Sequence, residues 1–340
     1  MSRRVASLFA LIALTLSSLE LSMPAPLCAD APPQGEVRVV QAWRLLAAEG
    51  ASGYTQPEDP MLAGYFAWRG AGNTEAGAAD WSALPASVLD AVQSALADSS
   101  VQNHLERGAA DLAARLARVV APGDTVTLVL VVGAFEETFV HYDVAGQPVV
   151  ALQLENFLVP VDSLDAESRE WVASYRIRQA EVALGAEDVF PWGVYATAGL
   201  FAPELRRRRM DDVASLAETV LLHGFGTRFA AALYPDSRFS GARPAVPQSV
   251  LDAVRPKWRE IGAAWFPFGT EPYLAAIYEP GVEAALPAGV TPAQAAEVIG
   301  AELTGEWLGA TRISRTQDEA AEISRLGRLP TLSAWGLLQY

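Results

Sequence analysis

Residues 218–235 read ETVLLHGFGTRFAAALYP. An apolar run feeds into His223, and an apolar and aromatic run leads out of it. The pattern predicts a helix over residues 210–233 with His223 near its middle. Gly224 and Gly226 sit inside that helix, where each costs about 1 kcal/mol relative to alanine. Two explanations are open. Either a neighbouring element packs close against the backbone there, or the helix breaks at Gly224. A lone histidine on an apolar helix is most often a satisfied core or cleft residue.

Outward from this stretch, the rest of the second half also reads as helical. Helices are expected over 165–184, 248–265, 271–286 and 291–308, separated by Pro or Gly, with Thr291-Pro292 as an N-cap and first-turn pair. The middle changes period. Residues 125–132 (TVTLVLVV) form a β-branched run of the kind found in a buried strand. Residues 135–142 and 147–154 read as two further strands, joined by a turn at Asp143-Val144-Ala145-Gly146. Upstream, 87–96 and 101–120 have helical spacing, and 36–49 reads as a helix or as a strand running into one. Residues 50–82, rich in Gly, Pro and Asn, carry no clear period. The expected fold class is α+β: a helical N-terminal part, a small mostly antiparallel sheet of about three strands, and a helical C-terminal half.

The first 29 residues have the plan of a secretory signal. Arg3 and Arg4 precede an apolar stretch, 5–16, that is too short to span a bilayer. Leu27-Cys28-Ala29 is an acceptable cleavage site, so the only cysteine would leave with the signal. The expected organisation is a signal peptide over 1–29 and one α+β domain over 30–340, periplasmic or secreted, without disulfides and without a membrane span after processing. The formal net charge is -15, and removing 1–29 leaves about -16. Such a surface disfavours nucleic acid and anionic membranes. The one dense basic run, Arg206-Arg207-Arg208-Arg209, reads as a solvated loop or first helical turn.

Residues 223–227 read H-G-F-G-T, and this segment resembles a degenerate form of the H-E-x-x-H motif. In that motif two histidines at i and i+4 bind one zinc ion, and the glutamate activates its water. The order of elements is similar too: strands, then the His223 helix, then further helices, with Phe268-Gly269-Thr270-Glu271-Pro272-Tyr273-Leu274 opening a later one. The chain thus resembles bacterial zinc-dependent peptidases of the zincin type over about residues 120–310. The resemblance implies a zincin-like fold, an edge strand lining a cleft, and His223 in the first ligand position. It puts Gly224 in place of the catalytic glutamate and Thr227 in place of the second histidine. Glu260 is the remnant of the third-ligand position that the resemblance offers, and a solvated helix glutamate is its plainer reading.

Nothing nearby rebuilds the site. Thr219 and Thr227, four residues either side of His223, are poor zinc ligands, and neither His104 nor His141 has a second ligand at metal spacing. No cofactor is therefore expected, and zinc only if the degenerate motif is compensated. Glu136 and Glu137 are adjacent on a predicted strand, so they point to opposite faces and cannot act as one pair. No G-x-S-x-G turn and no glycine-rich phosphate loop after a strand is present. Three functional readings follow. The first is a peptidase-like protein that is catalytically inactive and keeps a cleft for an extended peptide or protein. The second is a non-catalytic binding or scaffold protein unrelated to zincins. The third is an active hydrolase with His223 as an atypical general base.

Overall fold

Four strands pair in the order β1 (Glu36–Gln41), β2 (Thr125–Val131), β4 (Gln147–Gln153) and β3 (Phe139–Val144) in a computed structural model of the chain. The structure describes residues 35–49, 58–71, 85–120, 123–133, 138–159, 162, 164–175, 184–201, 214–310 and 335–339. The signal-like segment, the Arg206–Arg209 run and Glu136-Glu137 lie outside the described residues. Gly35–Tyr340 packs as one unit.

The sheet is mixed, which corrects the expectation of a mostly antiparallel one. β1 runs parallel to β2 and β2 parallel to β4, and only β3 and β4 are antiparallel. The reason lies in the connections. Between β1 and β2 come the helices α1 (Trp43–Glu49), α2 (Pro60–Ala71), α3 (Ala86–Ala97) and α4 (Ser99–Ala117), which return the chain to the same edge. β3 then takes the outer position, so its hairpin brings β4 back alongside β2 in the same direction. The β3–β4 turn has positive φ at Ala145 (54°) and Gly146 (82°), the primed geometry that suits a two-residue hairpin. The Asp143 carboxylate accepts from Gly146 N at 2.6 Å and closes it.

Both faces of the sheet are covered, which is why β2 reads as a continuous apolar run rather than an alternating one. On one face lies α2, whose Met61 carbonyl accepts from the Tyr142 hydroxyl at 2.7 Å. On the other lie α4 and α7 (Val189–Thr197). There a Cβ on Gly193 would touch Leu128 and Leu112. Each fully buried Leu or Val of these layers contributes about 1.5–3 kcal/mol.

Between the sheet and α7 the chain forms α5 (Glu155–Leu158) and α6 (Ala166–Tyr175). After α7 come α8 (Leu216–Leu233), α9 (Gln248–Val254), α10 (Trp258–Trp265), α11 (Tyr273–Ala276), α12 (Pro280–Glu283) and α13 (Pro292–Ala310). α8 packs on α7 on one side and on α13 on the other. The order of layers is therefore α2, sheet, α4 and α7, α8, α13. The α13 start agrees with its sequence signal: Gln294 N donates to Thr291 Oγ1, and Thr291 N donates to Gln294 Oε1 at 2.9 Å.

α4 has a comparable start. Asp98 accepts at 2.7 Å from both the hydroxyl and the backbone N–H of Ser100. These donors hold its carboxyl below the usual carboxylate range, the hydroxyl most of all. The capping contribution is present above the unfolded pKa and is lost as pH falls through the lowered folded value.

Candidate functional site

α8 starts at a capping box that sequence spacing alone did not single out. Ser215 Oγ accepts from Glu218 N, and the Glu218 carboxylate reaches back to Ser215 N at 2.8 Å. Glu218 is thereby committed to the helix start, five residues before His223. From Leu216 to Ala230 the helix is buried almost all the way round, as expected of a helix enclosed by others.

The two glycines beside His223 serve two different contacts. A Cβ on Gly224 would overlap the Gly300 carbonyl oxygen and Thr304 Oγ1 of α13. Reciprocally, a Cβ on Gly300 would overlap the Val220 carbonyl oxygen and lie 2.8 Å from Gly224 N. Only glycine at both positions lets the two backbones approach this closely. On another side of α8, a Cβ on Gly226 would stand 2.7 Å from the Tyr195 ring and 2.9 Å from its carbonyl oxygen. Of the two explanations for these glycines, the structure shows the first: the helix is continuous through Gly224, and neighbouring elements close on its backbone.

His223 is 7% exposed. Its Nδ1 and the Tyr195 hydroxyl share a hydrogen bond of 2.5 Å. Tyr195 is held in turn by Phe239, stacked at 5.5 Å, and by Trp192 and Phe139 edge-on. The imidazole thus closes an aromatic cluster between α7, α8 and the loop after α8. Thr227 and Thr304 are fully buried at the α8–α13 contact, and neither Oγ1 has a hydrogen-bond partner among the described residues.

The remaining predicted residues lie apart from this point. Glu260 is exposed in the first turn of α10, whose main partners are α13, α12 and the last described segment. His104 and His141 each place Nε2 2.9 Å from a backbone carbonyl, of Ala186 and Ala196 respectively. The residues present at 223–227 do not fit a zinc ion. Position 224 offers no side chain, and Thr227 is enclosed against α13. Among the described residues, no three His, Cys, Asp or Glu side chains gather at metal-binding distance. Nor does α8 line a cleft beside an edge strand, since α7 stands between it and the sheet.

Among the described residues, the buried acidic groups that escaped the sequence reading include Asp188 and Glu155. Asp188, 4% exposed, takes a two-point ion pair from Arg238: Nε to Oδ1 at 2.7 Å and Nη2 to Oδ2 at 2.6 Å. It also accepts from Gly185 N at 3.0 Å. This pair pins the loop after α8 to the start of α7 and so supports Phe239 against Tyr195. Glu155, fully buried just after β4, accepts from Gly133 N at 2.8 Å at the end of β2. The only sequence signal for Asp188 is its place at the head of an apolar and aromatic run, 189–196.

Fold and site together define an α+β protein whose motif-like segment is an interior helix crossing. No protein-family model matches the chain, and no curated protein and no solved structure matches it either.

Proposed function

We propose that the protein is a non-catalytic protein of the extracytoplasmic space that acts by binding a peptide or protein partner. One observation carries this reading. The H-G-F-G-T segment, where the zincin resemblance would put hydrolytic chemistry, is packed against Gly300 and Tyr195. A general base needs room for a reacting atom within hydrogen-bond reach, and His223 is 7% exposed between packed helices.

Descent from a zinc-dependent peptidase remains part of the proposal. It accounts for His223 in a helix that follows the strands, with base and second ligand replaced by Gly224 and Thr227. The extracytoplasmic placement rests on Arg3, Arg4 and the apolar stretch 5–16. No described helix is long and apolar enough to cross a membrane. The charge of -15 speaks against nucleic acid as partner.

The test is turnover. The full chain and His223→Ala are incubated with a mixed peptide library and with small ester substrates, and products are read by mass spectrometry. Both are expected to give the same background as buffer, with and without added zinc. Turnover that disappears in His223→Ala would contradict the reading and favour the hydrolase.

A further inference from the structure

A recess lies far along the chain from His223, between α11 and the start of α13. A groove of about 560 Å³ is lined by Ile277, Tyr278, Leu286, Pro287, Val290 and Pro292, with Glu283 at its margin. Its walls are fixed locally. Val290 N donates to the Pro287 carbonyl at 3.1 Å across a turn in which Gly289 has φ 78°. Val282, fully buried, anchors α12 to the core, and its carbonyl accepts from Trp265 Nε1 at 3.0 Å. The recess is therefore preformed, which lowers the ordering cost of binding.

Two large apolar side chains stand in water beside it. Tyr278 is 80% exposed and Leu274 is 67% exposed, among only three large hydrophobics so exposed among the described residues. They are four residues apart, Leu274 in α11 and Tyr278 in the turn that follows it. The sequence either side of them carries charge of a single sign. From Glu260 to Thr311 the sequence contains seven glutamates and no Lys, Arg or His. Glu302 and Glu306 are paired with Arg255 and Arg259 of the preceding helices. Glu271, Glu279 and Glu283 are exposed and make no ion pair with a described residue.

We propose that this groove docks a short extended peptide that alternates basic and apolar residues. An apolar or proline side chain enters the recess between Leu286 and Pro292, and an arginine or lysine lies over the Tyr278 ring against Glu279 and Glu283. Charge complementarity selects this occupant. The carboxylates have no cation partner among the described residues, and an exposed tyrosine face adds cation–π attraction to the same group. The proposal rests on the binding reading given above and assigns it a place and a ligand class.

The probes are a fluorescein-labelled nonapeptide in which arginine alternates with leucine and proline, and its counterpart with glutamate for arginine. Binding to the full chain is followed by fluorescence anisotropy at low and high salt. Saturable binding of the cationic peptide alone is expected, weakened by salt. Tyr278→Ala, and Glu279→Gln with Glu283→Gln, should each weaken it at least about tenfold. These side chains are exposed, so the melting temperature should not move, which separates lost docking from lost folding. Equal affinity for both peptides, or affinity untouched by the substitutions, overturns the proposal. So does self-association in sedimentation that Tyr278→Ala abolishes, because the face would then belong to a second copy. Cleavage of the bound peptide would instead contradict the non-catalytic reading and leave the groove standing.

Discussion

Gly224→Ala is expected to lower the melting temperature by about 3 °C. Elsewhere in a helix interior this substitution would stabilise by about 1 kcal/mol. Here the added methyl overlaps the Gly300 carbonyl oxygen, which is backbone and cannot rotate away. α8 and α13 must separate, and overpacking of this kind costs about 1–3 kcal/mol or more. The steric term therefore exceeds the propensity term, with a net loss of about 2 kcal/mol. Gly300→Ala should act alike, since its methyl overlaps the Val220 carbonyl oxygen. The two together should lose less than their sum, because one separation relieves both. Gly336→Ala, where a Cβ meets nothing within 4 Å, is the control. Unfolding followed by circular dichroism checks this, and a Gly224→Ala variant as stable as the wild type would contradict the crossing.

Arg238→Met is expected to cost about 3 kcal/mol, because it leaves the Asp188 carboxylate buried without its cation. Arg238 is partly exposed, which places the loss toward the lower end for a broken buried pair. The loss should reach the aromatic cluster, since Phe239 follows Arg238 directly and stacks on Tyr195. Asp188→Asn combined with Arg238→Met should recover part of it, because no charge is then stranded. Unchanged melting of the single variant would show that the pair is not sealed from water.

Much of the fold is legible in local pattern. The run at 125–132 gives β2, the turn at Asp143–Gly146 gives the hairpin, and Thr291-Pro292 gives the start of α13. What the pattern does not carry is partnership. A strand such as β2, buried on both faces, fits a parallel or an antiparallel neighbour equally well, so the mixed sheet emerges only once β1 is seen to pair with it. α2 was hidden in a stretch rich in Gly and Pro, although Asp59-Pro60 is a helix-start signal: Asp59 Oδ1 accepts from Met61 N at 2.8 Å.

The site shows the same division. His223, Gly224 and Thr227 are visible in sequence as departures from a metal-binding spacing. That Gly224 meets Gly300, 76 residues later, is a tertiary fact with no local trace. Tyr195 as the partner of His223 is invisible for the same reason.

The central claim is that residues 223–227 form a helix crossing with no room for a metal site, and rebuilding the motif tests it most directly. In Gly224→Glu with Thr227→His the segment reads H-E-x-x-H again. Thermal unfolding is measured with and without one equivalent of zinc. The account predicts a protein that melts far below the wild type or fails to fold, with no rise on adding zinc. A folded variant that binds zinc stoichiometrically and melts higher with it would contradict the account and show that a metal cleft persists at His223.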